Sequence, residues 1–203
     1  MKKALLPVLL CCLLLSACGD RAAQSRYEAF ADALSSAESL AFTAEVRCEY
    51  PERSQRFTLR YEKEAGVQRV TVLAPQLIEG VSATLGEDGA ALCYEGVTLD
   101  TPPLDPYGLT PMNALPKLVS ALATALPDTH WEEDGCAVYR LVPDDHLAVT
   151  VWFTEGMKPL AAELASDGNV GVFCELSDWS PSYERSAKEN LGGDLPAQHP
   201  PQL

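Results

Sequence analysis

From residue 42 onward the chain is dominated by short segments in which apolar and polar residues alternate. Two of the clearest are Phe42–Cys48 and Phe57–Tyr61, where every second side chain is apolar. Because successive side chains of a strand point to opposite faces of a sheet, this period of two predicts strands with one buried and one solvated face. Turn-forming residues separate the segments at short intervals, so we expect an antiparallel sheet in which consecutive strands pair.

The alternation predicts about eleven strands, six before a proline-rich stretch and five after it. The stretch is Thr101–Pro111, and its prolines exclude long regular structure. So many twisted strands do not stay flat, and we expect the sheet to curl toward a barrel. The expected strands are 42–48, 56–62, 67–73, 81–85, 90–94, 97–99, 129–133, 137–141, 147–153, 160–165 and 170–177.

Two segments have helical periodicity instead. In the first, Tyr27 and Phe30 begin an apolar stripe at 3.6-residue spacing, with Ser25 as the expected N-cap. The second is expected over Asn113–Leu126, with its first residue as N-cap and Pro116 in the first turn. Both stripes need an apolar surface, and the concave side of the sheet offers one. The predicted fold is therefore α+β: a curled antiparallel sheet, an unclosed half-barrel, with two helices against its concave face.

The first twenty residues have the features of an export signal. A basic start precedes an apolar run that is too short to span a bilayer of about 30 Å. Leu15-Ser16-Ala17-Cys18 ends the run and resembles the lipobox of bacterial prolipoproteins at all four positions. The resemblance implies that residues 1–17 are removed and that lipid on Cys18 anchors the protein to the outer face of the cytoplasmic membrane, or to an outer membrane if the host has one. The alternative is an ordinary signal peptide that leaves Cys18 as a free thiol.

The rest of the chain divides into a tether, one domain and a tail. We expect residues 18–26 to be a polar tether, 27–179 the half-barrel domain, and 180–203 a flexible tail rich in proline and glycine. The chain has 15 basic and 29 acidic residues and a formal net charge of −14. Because an acidic body is repelled by a phosphate backbone, nucleic acid is excluded as a partner.

Four cysteines follow the lipobox, and two interpretations of them stay open. Cys48, Cys93, Cys136 and Cys174 contain no C-x-x-C spacing, so no metal site is expected. An exported protein can form disulfides, and if it does, the pattern of strand faces favours the pairs Cys48–Cys174 and Cys93–Cys136. The alternative is four free thiols that pack as small apolar side chains.

Signals for catalysis are sparse. The sequence contains no nucleophile elbow, zinc-protease motif or glycine-rich phosphate loop. We interpret Glu132-Glu133-Asp134 and Asp144-Asp145 as solvated turn charges rather than as an acid–base pair or a calcium site, and His130 with Trp131 as a pair at the end of a strand. The prediction is a protein without enzymatic activity and without a cofactor.

The order of elements resembles the lipoprotein-carrier superfamily that includes LolA, LolB, LppX and RseB. The resemblance covers about Tyr27 to Trp179. Members of this superfamily are unclosed half-barrels with helices in the open face. The lipobox makes the chain similar to lipid-anchored members such as the GerS-like germination lipoproteins, whereas the soluble LolA carriers lack an anchor. The stretches that carry the resemblance are Val70–Pro75, Ile78–Val81, Leu92–Gly96 and Gly168–Val170.

Two functions follow as hypotheses. In the first, the concave face and the second helix enclose an apolar cavity that binds a lipid or acyl chain; the alternative for the residues concerned is a packed core. In the second, the domain is an interaction module that holds or regulates an envelope protein, for example in sporulation or germination, with Trp152 and Trp179 as candidate anchors. The expected cavity lining is Phe42, Val46, Phe57, Leu59, Val72, Leu118, Leu122, Val149, Val151 and Phe153.

Overall fold

The structure, a computed structural model, describes residues 5–86, 89–101 and 109–183, with side chains from Arg21 onward except that of Thr101. In these ranges the chain forms two α-helices, a short 3-10 helix at Gln76–Ile78 and eleven strands. The helices are α1 (Leu5–Ser36) and α2 (Pro111–Thr124). The strands are β1 (Ser39–Tyr50), β2 (Arg53–Glu64), β3 (Val67–Ala74), β4 (Ser82–Gly86), β5 (Gly89–Tyr94), β6 (Val97–Thr101), β7 (Pro127–Glu133), β8 (Cys136–Asp144), β9 (Leu147–Phe153), β10 (Pro159–Ser166) and β11 (Asn169–Ser182).

All eleven strands form one antiparallel sheet in the order β6-β5-β4-β3-β2-β1-β11-β10-β9-β8-β7. The first and last strands pair at its centre, and β6 and β7 lie at opposite edges, so the sheet is unclosed. The α2 helix follows β6 and contacts β2 and β3 as well as β8 and β10. One helix can reach both halves of such a wide sheet only if the sheet curls around it. The predicted α+β half-barrel is therefore confirmed.

The buried face of the sheet is the concave one. In β1, buried side chains alternate with partly or fully exposed ones from Leu40 to Cys48, as the period of two requires. Leu115, Leu118 and Leu122 of α2 are fully buried at helical spacing. Burial of each leucine contributes about 1.5–3 kcal/mol, so the contact between α2 and the sheet is a major source of stability.

The first helix begins far upstream of the expected N-cap. The α1 helix is continuous from Leu5 to Ser36, so Ser25 lies inside it and the expected cap is wrong. Residues 18–26, expected to be a tether, are helical, and Ala23 is already buried against the domain. Gly19 lies inside this helix. A glycine there lowers helix stability by about 1 kcal/mol relative to alanine, which does not end the helix. In the part of the chain that the structure describes, no helix is both long and apolar enough to cross a membrane.

The start of α2 also differs from the expectation. Thr110, not Asn113, is the N-cap. The Thr110 side-chain oxygen accepts a hydrogen bond from the Asn113 amide at 3.3 Å, and the Asn113 side-chain oxygen accepts one from the Thr110 amide at 2.8 Å. Pro111 takes the first helical position, where its missing N–H costs nothing, and Pro116 lies beyond the first turn. The prolines around Thr110 conceal this cap in the sequence.

The last strand continues beyond the expected end of the domain at residue 179. In β11, Ser180–Ser182 pairs with Ser39–Ala41 of β1, so regular structure continues three residues past Trp179. The pairing partner is distant in sequence, which is why the local composition of the segment predicts a tail instead. Residues 184–203 of the expected tail lie outside the described residues.

Candidate functional site

The ten residues of the expected cavity come together on the concave face, where they pack as a core. Nine of them have at most 2% of their surface exposed. The tenth, Phe57, is half-buried and packs against the same hydrophobic cluster. Interiors of this kind are close-packed, so the concave face has the arrangement of the packed-core alternative.

Two buried tyrosines, Tyr27 and Tyr139, fix α1 to the domain. The Tyr27 hydroxyl donates a hydrogen bond to the Leu122 carbonyl of α2 at 3.1 Å. The Tyr139 hydroxyl of β8 donates to the Ala23 carbonyl of α1 at 3.0 Å. Burial raises the pKa of both tyrosines. No sequence signal could reveal these pairs, because each acceptor is a backbone carbonyl on another element.

Aromatic rings continue this contact toward the end of the sheet. Tyr27 and Tyr139 have their ring centroids 5.1 Å apart. Phe30 meets Phe153 edge-on at 5.0 Å, and such edge-to-face pairs contribute about 0.5–1.5 kcal/mol beyond burial. Phe30 is only partly buried and packs against the core from its margin. It therefore connects the interior with the surface beside α1.

A groove of about 580 Å³ lies at this margin, between α1, the β9–β10 turn and the end of β11. Its apolar surface continues into the core, since Phe30 and Trp179 line the groove and also pack against the core. Trp179 stacks on Phe42 with 4.9 Å between ring centroids. Two members of the expected cavity, Phe42 and Phe153, thus contact residues that line the groove. The lining residues are Arg26, Ala29, Phe30, Gly156, Met157, Lys158, Trp179, Pro181 and Tyr183.

The β9–β10 turn is fixed by Thr154. Its hydroxyl oxygen accepts a hydrogen bond from the Lys158 amide at 3.1 Å, and its own amide donates to the Lys158 carbonyl at 3.0 Å. Met157, between them in the turn, has φ +58°, a left-handed conformation that costs roughly 1–2 kcal/mol for a residue with a side chain. This turn forms one wall of the groove.

Two cations rim the groove, Arg26 from α1 and Lys158 from the turn. Neither forms an ion pair with any residue in the described ranges. In a chain with a formal net charge of −14, two cations on the rim of one apolar groove make the potential there locally more positive.

All four cysteines of the domain are free thiols in the structure. Cys48 and Cys174 are buried on the neighbouring strands β1 and β11, and burial raises the pKa of Cys48 to about 11. A Cys48–Cys174 bridge stays a prediction that this neighbourhood favours. Cys93 in β5 and Cys136 in β8 have seven strands between them in the sheet order, so strand pairing does not bring that expected pair together.

Carboxylates of the two acidic clusters accept hydrogen bonds from residues two or three positions away in the chain. Asp144 accepts a hydrogen bond from the His146 amide at 2.8 Å, and the His146 ring lies 2.8 Å from Asp167, whose hydrogen bond raises the pKa of His146. Glu133 accepts a hydrogen bond from the Trp131 ring nitrogen at 2.9 Å. Among the described residues, no three histidine, cysteine or carboxylate side chains are arranged to hold a metal ion.

Several solved structures are similar to this chain in fold. A LolA superfamily protein from Nitrosomonas europaea is 12% identical, with 82% of this chain and 96% of that chain covered and a TM-score of 0.44. LppX from Mycobacterium tuberculosis is 12% identical, with 79% and 96% covered and a TM-score of 0.43. A chain of the complex between the CwlD amidase and the GerS lipoprotein from Clostridioides difficile is 13% identical, with 80% and 94% covered and a TM-score of 0.37.

These neighbours are a LolA superfamily protein, LppX and a chain of the CwlD–GerS complex, which are proteins of the kind that the element order resembles. No protein-family model matches the chain, and no curated protein is similar to it. Identities this low assign no function, so the function has to be inferred from the residues of this chain.

Proposed function

We propose that this protein is a membrane-anchored extracytoplasmic lipoprotein, without enzymatic activity, that binds a hydrophobic ligand such as a lipid or acyl chain. Lipid on Cys18 would provide the anchor. The observation that supports ligand binding is the apolar groove of about 580 Å³ beside α1, which continues into the core. Its volume falls within the roughly 300–1,000 Å³ of small-molecule sites.

The groove, rather than the concave face behind it, is the proposed binding surface. A chain bound on the concave face would have to displace α2, whose buried leucines each contribute about 1.5–3 kcal/mol. In the groove, Phe30, Met157 and Trp179 are already partly exposed. An acyl chain that covers them would gain about 0.8 kcal/mol for each methylene it buries.

Two exposed alanines of α1 make a matched test of this proposal. Ala29 lines the groove and Ala22 does not, so Ala29→Trp fills the groove while Ala22→Trp adds the same ring outside it. The probe is lauroyl lysophosphatidylcholine below its critical micelle concentration, titrated calorimetrically into residues 18–203 carrying Cys18→Ser.

We expect the Cys18→Ser chain and its Ala22→Trp variant to bind equally, and the Ala29→Trp variant to bind about ten-fold more weakly, a loss of 1.4 kcal/mol. Equal binding by all three chains would contradict the groove as the site. Absence of binding by the parent chain would contradict the proposed function.

A second candidate function, the interaction module, is favoured by an aromatic strip on the convex face. Trp131 and Trp152 both lie opposite Val138, which is fully buried between them. Trp131 is 39% exposed, and exposed tryptophans are enriched in protein interfaces. The test places a photo-crosslinking residue at position 131 and, as a control, at position 170, where Val170 is 49% exposed. Capture of one envelope protein from position 131 but not from position 170 would support this function.

A further inference from the structure

We infer that the groove binds an anionic phospholipid, with the headgroup between Arg26 and Lys158 and an acyl chain along the apolar floor. The inference rests on the proposed function and adds the charge class of the ligand. It is carried by three features of the groove: the position of the two cations, the absence of carboxylates from its lining, and its distance from the expected anchor.

The two cations lie on different walls of the groove, Arg26 on α1 and Lys158 in the β9–β10 turn. Arg26 precedes Phe30 by four residues on α1, so the two side chains share one face of the helix. Lys158 directly follows Met157 in the β9–β10 turn, and both line the groove. Each wall therefore presents a charged side chain beside an apolar one, which matches an amphiphile with a negative headgroup and an apolar chain.

The lining of this groove contains no aspartate or glutamate. By contrast, three other grooves along the described residues include carboxylates: Glu45 and Glu175 in one, Glu62 and Glu64 in the second, and Asp144, Asp145 and Glu163 in the third.

Two arginines elsewhere on the sheet have carboxylate partners: Arg47 lies 2.8 Å from Glu49, and Arg60 lies 3.8 Å from Glu62. Compared with those three grooves of an acidic chain, the groove beside α1 lets a negative headgroup meet cations without facing a carboxylate in the same lining.

The groove also lies close to the expected membrane anchor. Arg26 follows Cys18 by eight residues on the continuous α1 helix, which is about 12 Å at 1.5 Å per residue. A lipid-anchored chain would hold the groove beside a bilayer surface, where phospholipid is the abundant amphiphile. We therefore assign the negative group to a membrane phospholipid and not to a free phosphate, which would leave the apolar floor uncovered.

The test compares two lipids that share an acyl chain. Lauroyl lysophosphatidylglycerol is anionic and lauroyl lysophosphatidylcholine is zwitterionic, and both are titrated below their critical micelle concentrations into residues 18–203 carrying Cys18→Ser. The test variant adds Arg26→Gln and Lys158→Gln. The matched control adds Arg56→Gln and Lys63→Gln, which remove one arginine and one lysine from two other grooves. Inorganic phosphate is the third probe.

We expect the parent chain and the control to bind the anionic lipid about three- to ten-fold more tightly than the zwitterionic one, as two partly exposed ion pairs would produce. This preference should vanish in the test variant and shrink in 0.5 M salt. Equal affinity of the parent chain for both lipids would overturn the inference while leaving the proposed function intact. Equal loss of preference in test variant and control, or phosphate binding as tight as that of the anionic lipid, would also overturn it. No binding of either lipid would overturn both.

Discussion

Tyr27 illustrates how single residues join the elements of this domain. Its ring packs in the core, and its hydroxyl donates to the Leu122 carbonyl in the last turn of α2. Carbonyls in the last turn of a helix have no partner within the helix. The Ser35 hydroxyl likewise donates a hydrogen bond to the Ala123 carbonyl at 3.0 Å. Side chains of α1 thus cap the end of α2, which has no glycine there.

Removal of the Tyr27 hydroxyl should destabilise the domain. Tyr27→Phe keeps the ring and leaves a buried carbonyl without its partner, at a cost of about 1–3 kcal/mol. Tyr94→Phe is the control, since Tyr94 is 44% exposed. Urea unfolding followed by circular dichroism should place the midpoint of Tyr27→Phe clearly below that of the control, and coincident midpoints would refute the capping role.

The Cys48 thiol should make the stability depend on alkaline pH. Burial raises its pKa from 9.0 to about 11, so between these values the unfolded chain loses a proton that the folded chain keeps. Stability is then full below pH 9 and falls as the pH rises toward 11, by up to about 2–3 kcal/mol. Cys48→Ala should show a shallower decline than the wild type in urea unfolding over this window. Parallel declines would contradict the assignment.

The periodicity of individual residues predicted much of the burial but not the polar contacts. Alternation placed Phe42, Val46 and Cys48 on one face of β1, and all three are buried. The partners of Tyr27 and Tyr139 could not be predicted, because backbone carbonyls are the same at every position of a sequence. Tertiary contact alone decides which of them a hydroxyl reaches.

At the scale of elements, the errors of prediction lie at helix and strand ends. The α1 helix passes Ser25 because a serine caps a helix only where the chain before it leaves the helical conformation. The β11 strand passes Trp179 because β1 offers it three more residues to pair with. Element type follows from periodicity, whereas these ends depend on neighbours that the local sequence does not contain.

The capping box of α2 gives the element-scale prediction. Thr110→Ala removes the acceptor of the Asn113 amide and should destabilise the domain by about 1 kcal/mol. Thr124→Ala, at the other end of α2, removes an exposed hydroxyl bonded within the helix and should have little effect. Thermal unfolding of the two variants in parallel distinguishes them; equal melting temperatures would rule out Thr110 as the cap.

At the scale of the whole molecule, the helices fill the half-barrel, and the groove lies beside α1 at the margin of the core. The sequence could predict that the concave residues converge, since they share a strand face. It could not predict whether a cavity remains, because that depends on how closely α1 and α2 approach the sheet. The groove combines residues of α1, the β9–β10 turn and β11, and no local pattern connects segments so far apart in the chain.

Membrane attachment is the second whole-molecule prediction. If Cys18 carries the anchor, the chain should sediment with membranes and Cys18→Ala should release it into the soluble extract, because stable attachment requires the acyl chains. Mass spectrometry of the purified protein should find the lipid on Cys18 as the first residue. Retention of Cys18→Ala on membranes would contradict the anchor.

The most direct measurement is photo-crosslinking with an anionic phospholipid that carries a diazirine at the end of its acyl chain. The lipid-anchored chain is reconstituted in vesicles containing this lipid, irradiated and digested, and the labelled peptides are sequenced by mass spectrometry. Binding in the groove predicts label on the peptides containing Phe30, Met157 and Trp179. Label confined to α2 and the concave strands, around Leu118 and Val151, would contradict the account.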